Sequence, residues 1–362
     1  MGAISGEVLS TFNTTLGISD LPYANMVFSD ASGMYLFALY TIVFAFIFVS
    51  LLQFKFPNSS NKWAKHFDVF VIYYLVFILL KYGIDKMFFN QFYPVNPALL
   101  YSEFGNLSKD IVFWSLAGSS KFYQFFSGVI EVLAAFLILL NRTRKLGLIL
   151  ALIIFSNICF INFSFDVSVK FFSLLILTLN LYATRNFIID IFFYLSNIKG
   201  SIQIPEANNV FGSIKKWLKP LVIVLILIET TFPYLNTNAN EPGQRARIYI
   251  GAYEIKAINQ TNRYQNLFIL ENNRLVIKTT EGKMIPGKYE LSADGKRMKI
   301  EMKSEFLKSA QLDLSHKMIT AIDKNGNTDS FQLKALKWQN KVLKNDGFHW
   351  TVDGLKASDF QP

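Results

Sequence analysis

The sequence predicts a membrane-embedded, all-α helical bundle of about six spans, followed by a separate all-β extracytoplasmic domain of barrel type. Three observations predict this. Apolar runs of spanning length recur between residues 34 and 235. Lys and Arg fall almost entirely on alternate connections between those runs. From about residue 245 the runs give way to short, β-branched and aromatic segments punctuated by turn dipeptides.

A span needs roughly 20 apolar residues. The candidates are 34–54, 68–89, 122–140, 146–163, 167–184 and 218–235. The run NFIIDIFFYL, 186–195, is too short to span and follows Arg185. It reads as an interfacial helix or as an extension of the fifth span.

Charge sets the orientation. Lys55, Lys62 and Lys65 occupy the first connection, and Arg142, Arg144 and Lys145 the third. Arg185, Lys199, Lys215, Lys216 and Lys219 occupy the fifth. Cytoplasmic loops carry the excess of Lys and Arg, so these three connections are expected inside and both termini outside. Lys215, Lys216, Trp217 and Lys219 suit anionic headgroups and an aromatic belt, and read as a membrane-surface anchor. The expected location is a bacterial inner membrane.

The domains follow from this layout. Residues 1–33 form an extracytoplasmic N-terminal segment without Lys or Arg, unlike a signal peptide. Residues 34–236 form the bundle, with an extracytoplasmic loop at 90–121 expected to fold back over its mouth. A linker at 237–246 leads to the β domain, 247–362. There ENNR, SADGKR and DKNGNT read as turns between some eight strands. An up-and-down barrel would close the edges of such a meander.

The net charge of +10 could suggest nucleic acid, but the basic residues sit in short membrane connections or mixed with acids in the tail. Membrane orientation explains the former, and no nucleic-acid partner is expected. The single cysteine, Cys159, lies in an apolar run and reads as a small buried hydrophobe. No metal or haem is expected, because His66, His316 and His349 are dispersed and no ligand motif is present.

Ionisable groups inside spans are costly and are candidate functional residues. Lys81 and Asp85 lie four apart and share a helical face, with Lys86 alongside. Glu131 sits mid-span, and a lysine from a neighbouring span, such as Lys81, is its natural partner, the lysines there being Lys81, Lys86 and Lys170. Asn157, Asn162, Asp166 and Lys170 cluster around the fourth turn. These eight residues are the polar-pocket candidates. Each also has a plain structural role open to it. The lysines could snorkel, Asp166 could cap a helix, and the asparagines could bond across helices.

With these residues placed, KYGIDKMFF and GVIEVLAAFLILLNRTRKLGLILALIIFSNICFINFSFDVSVKFFSLLIL resemble the DoxX-like membrane proteins. The shared pattern is a helix ending in Gly and Lys, then a Gly-x-x-Glu helix, a basic turn, a small-residue helix and a Lys-bearing helix. Here the Glu is Glu131, the basic turn is Arg142–Lys145 and the lysine is Lys170. Ser168 stands where proline is frequent. The resemblance covers residues 67–185, and the C-terminal β domain looks like that of a Bacteroidetes-type member.

The resemblance implies a membrane subunit or partner of a redox system, with a quinone as the associated molecule and no intrinsic cofactor. No catalytic residue carries across, so a non-catalytic subunit is expected rather than a stand-alone enzyme. Partners would be the bilayer and other envelope or membrane proteins. GAYEIK and DGKRMKI resemble lipocalin-like barrels, which leaves a second reading: an envelope protein whose bundle anchors a β domain for partner or lipid binding. A carrier of a small hydrophobic or anionic solute is the third.

Overall fold

The computed structural model describes residues 30, 32–56, 60–92, 95–195, 224, 228 and 229, together with most of 249–340. The gaps in that last stretch are 258–262, 272, 293–294, 303–306, 315 and 324–327. The surface anchor Lys215, Lys216, Trp217 and Lys219, the linker, and nearly all of the sixth expected span and of 1–33 lie outside the described residues. Two compact units emerge. One comprises Met1–Tyr93 with Ser108–Asn236, and the other Pro94–Leu107 with Thr237–Pro362.

The first unit is helical. Its described elements are α1 (Ser32–Lys55), α2 (Ser60–Met87), α4 (Lys109–Ser119), α5 (Lys121–Leu139), α6 (Arg144–Ser164) and α7 (Lys170–Leu195). Four stretches are long and apolar enough to cross a membrane: Ala38–Lys55, Trp63–Met87, Lys121–Leu139 and Arg144–Ser164. The fifth expected span lies in α7, which is not one of these four. No break separates 186–195 from it, so that run extends the helix.

Packing within this unit follows the small residues. Val71, Leu75, Leu79 and Leu80 of α2 meet Ala134, Ala135 and Ile138 of α5 in one core, joined by Ala151 and Phe155 of α6 and Ile176 of α7. In contrast, among the described residues the apolar window of α1 holds no buried residue. A helix apolar all round suits a lipid environment.

The basic turn does structural work that its sequence reading as a loop did not include. Arg144 is buried, and its Nε donates to the Ile138 carbonyl at 3.1 Å. Thr143 Oγ1 donates to the Leu137 carbonyl at 2.9 Å. The last carbonyls of α5 lack intrahelical partners, and these side chains satisfy two of them.

The second unit is a closed up-and-down barrel of eight antiparallel strands. They are β1 (Gly251–Ala257), β2 (Tyr264–Ile269), β3 (Arg274–Thr279), β4 (Met284–Leu291), β5 (Arg297–Met302), β6 (Leu307–Asp313), β7 (Met318–Asp323) and β8 (Thr328–Leu336). Closure comes from β1 pairing with β8, Ile255 opposite Leu333. Two expected turns take left-handed backbone, at Asn273 (φ 58°) and Gly295 (φ 68°). Strand alternation sends Ile255, Leu267, Ile277, Tyr289, Met298, Ile300 and Leu312 into one interior cluster.

The connection 90–121 divides between the two units. Residues 94–107 belong to the barrel unit and contain α3 (Pro97–Leu100) and a 3-10 turn. Asn96 caps α3 through its side chain, with Pro97 at the first position. Ala98 and Tyr101 cover Phe268, Leu270 and Ala252 on the outer wall of the barrel. Lys278 Nζ donates to the Tyr101 carbonyl at 3.2 Å and pairs with Glu103 at 3.3 Å.

Candidate functional site

The site begins with two glycines. A Cβ on Gly83 would stand 2.9 Å from the Gly128 carbonyl oxygen, and one on Gly128 would stand 2.5 Å from that of Gly83. With no side chains between them, α2 and α5 touch backbone to backbone here. Lys86 follows Gly83 by three residues, and Glu131 follows Gly128 by three, so both charges lie within a turn of the contact. Lys86 Nζ donates to Glu131 Oε1, and the two side chains are only 7% and 5% exposed. An ion pair this buried needs its partner, because either charge alone would be stranded in a low-dielectric interior.

The partner of Glu131 is therefore Lys86. Lys81, named first among the three candidate lysines, sits five residues before Lys86, which turns it about 140° around the helix. There it pairs with Asp85 at 3.2 Å, partly exposed. Lys170 is also elsewhere. Its ammonium lies 2.6 Å from Asp166 and 3.6 Å from Asp30. That hydrogen bond holds the Asp166 carboxyl below the usual carboxylate range. Asp30 also accepts the backbone N–H groups of Lys170 (2.8 Å) and Phe171 (3.1 Å), and so caps α7 from far along the chain.

Beside the Lys86–Glu131 pair lies a cavity of about 380 Å³ between α5 and α6, lined also by Phe92, Phe113 and Trp114. Asn157 and Asn162 line it, so four of the eight predicted residues, Lys86, Glu131, Asn157 and Asn162, share one space. Lys81, Asp85, Asp166 and Lys170 do not line it. The remaining wall is largely aliphatic, with Ile130, Leu150, Ile153, Ile154, Ile158 and Ile161. Along α6 the lining runs from Leu150 to Asn162, about 18 Å at the helical rise. Its Leu150 end is wholly apolar, and the polar side chains lie toward Asn162.

Two oxygens at this cavity, Glu131 Oε2 and Gln91 Oε1, are buried without a hydrogen-bond partner among the described residues. Gln91 was not singled out from sequence, because it lies just beyond the expected second span. Trp114 and Tyr123 were likewise passed over, and nothing in their local pattern distinguishes them from ordinary aromatic residues. Asn180 of α7, fully buried with neither amide atom partnered among the described residues, was hidden in an apolar run. No group of three or more metal-binding side chains occurs among the described residues.

Comparison with known proteins yields little. No family description and no solved structure matches the chain. Over 106 residues, 29% of its length, the chain is 32% identical to the uncharacterized protein YwoB of Bacillus subtilis strain 168, and the match covers 67% of that protein.

Proposed function

The chain belongs to the family of the uncharacterized protein YwoB of Bacillus subtilis, and from that premise we propose that it is a multi-pass membrane protein whose helical unit holds a small apolar molecule. Its role in this reading is that of a non-catalytic subunit or partner in a membrane-associated redox system, with a quinone as the molecule held. The observation that carries the proposal is the cavity between α5 and α6. It is mostly aliphatic, yet it carries one buried charge pair at its side. Sites for small molecules characteristically combine apolar walls with a few placed polar groups. The resemblance of residues 67–185 to DoxX-like proteins supports the redox assignment.

Two alternatives, a lipid in the barrel and an anionic solute in the bundle, find less support. A lipid inside the barrel has little room, because Tyr289, Met298, Ile300 and Leu312 fill the interior at about 1% exposure each. An anionic solute would meet a lysine already neutralised by Glu131.

Purification from native membranes in mild detergent, followed by mass spectrometry of bound lipids and quinones, tests the proposal. Replacing Ile154 with Trp fills the cavity and should abolish co-purification of the occupant. An unchanged profile in that variant would overturn the cavity as the binding site.

The proposed setting is a bacterial inner membrane, with six spans and both termini extracytoplasmic. Reporter fusions after residues 143 and 240 should then report opposite sides. A common side for both would remove this topology.

A further inference from the structure

We infer that the α5–α6 cavity selects a neutral, apolar molecule whose head donates a hydrogen bond, as a hydroxyl does, so that of a quinone couple it holds the reduced, hydroxyl-bearing form and not the oxidised one, whose carbonyls only accept. This rests on reading the cavity as a ligand site and specifies the chemistry it takes.

Among the described residues, the two fully buried polar side-chain atoms at the cavity that lack a partner are both oxygens, Glu131 Oε2 and Gln91 Oε1. An ionised carboxylate only accepts hydrogen bonds, so what completes it must donate. Lys86 and Glu131 together carry no net charge. An anionic head would face the free carboxylate oxygen, and a cationic head would compete with Lys86 for it. A neutral hydroxyl meets neither penalty, and its own oxygen can still accept from the Lys86 ammonium. A head carrying a second hydroxyl could address Gln91 as well. The body of the ligand would lie toward Leu150, Ile153 and Ile154, where the lining carries no polar side chain. Hydrogen bonds to buried charged groups discriminate strongly, because an analogue lacking the donor leaves the protein group unpaired.

The test compares three probes of one size: para-hexylphenol, its methyl ether, and para-hexylbenzoate. The full chain is placed in lipid nanodiscs, and binding is read from the fluorescence of Trp114, which lines the cavity. A Trp114→Phe variant provides the background to subtract. The phenol should bind about tenfold more tightly than the ether, the difference one charge-assisted hydrogen bond makes. The benzoate should bind least. In Glu131→Gln, which leaves Lys86 without its counter-charge, the benzoate should become the tightest of the three.

Equal binding of phenol and ether in the unsubstituted protein, or tightest binding of the benzoate there, overturns the head-group inference and leaves the cavity a ligand site. If no probe perturbs Trp114, the inference and the ligand-site reading fall together. The comparison in the unsubstituted protein decides the matter even if Glu131→Gln does not fold.

Discussion

Gly83 and Gly128 meet with a carbonyl oxygen only 2.5 Å from where a Gly128 Cβ would stand. This contact sets the distance between α2 and α5, and the Lys86–Glu131 pair forms within one turn of it. Adding a methyl group therefore does more than crowd a core. It must push apart two backbones, with Met87 Cγ and Lys86 Cβ at 2.9 and 3.0 Å as further obstacles. We expect Gly128→Ala to destabilise the helical unit by about 1–3 kcal/mol, the usual cost of overpacking. Thermal melting in detergent measures it. A neutral result would mean that the helices slide apart freely and that the glycine contact does not position the pair.

Breaking the buried pair should cost more than removing it. Lys86→Met or Glu131→Leu alone leaves one uncompensated charge in the bundle, at about 3–5 kcal/mol. The double variant removes both charges and replaces them with apolar volume, so it should recover most of that loss. Melting temperatures of the four proteins close the cycle. If the double variant is as unstable as the sum of the singles, the two residues are not energetically coupled.

The sequence revealed the charges but not which pair would meet. Lys81 and Lys86 are both lysines near the end of one helix, and only the rotation fixed by Gly83 packing on Gly128 decides which of them faces α5. The equal spacing in GIDK and GVIE, each with a glycine three residues before its charge, was the available cue. Asp30 was beyond local reasoning, because it caps a helix 140 residues later in the chain. The barrel was legible from strand alternation and turn residues. Its outer patch at Phe268 was not, since on a strand an outward apolar residue looks like an ordinary exposure until something covers it.

Removing the cap contributed by Asp30 gives a direct measure of that long-range contact. Asp30→Ala leaves two N–H groups at the start of α7 without their acceptor, and should cost about 0.5–2 kcal/mol. Asp30→Asn keeps an acceptor and should lose less, chiefly the attraction to Lys170. Comparing the two melts separates capping from charge. Equal losses for both variants would assign the effect to charge alone.

High pH should unfold the barrel. Burial raises the phenols of Tyr253, Tyr264 and Tyr289 above their ordinary value of 10.0. A raised folded value means that the neutral form is favoured in the fold. The corresponding stability is complete below about pH 10, where the unfolded phenol ionises, and is lost as pH rises through the folded values. Denaturant melts of the barrel unit at increasing alkaline pH, followed with tyrosinate absorbance, should show a falling midpoint. Tyr289 donates to the Leu270 carbonyl at 3.2 Å. Tyr289→Phe should therefore cost about 0.5–1.5 kcal/mol at neutral pH and flatten the alkaline decline. An alkaline decline as steep as that of the unsubstituted barrel would show that this phenol contributes nothing to it.

The last prediction concerns the boundary of the barrel unit. Phe268 points away from the barrel interior yet is 0% exposed, because Ala98 and Tyr101 of the distant segment 94–107 lie over it. Tyr101 and Phe268 place their ring centroids 5.7 Å apart, within the range of favourable aromatic pairs. Expression of residues 247–340 alone uncovers Phe268 and its neighbours Leu270 and Ala252. Such an exposed apolar patch on a small domain favours self-association. We therefore expect this fragment to elute as oligomers on size exclusion. Appending residues 94–107 through a flexible linker should restore a monomer with a higher melting temperature. Phe268→Ala in the appended form should cost about 3–5 kcal/mol, as for a buried core aromatic. If the bare fragment is monomeric and melts at the same temperature as the appended form, residues 94–107 are not part of the barrel's folded unit.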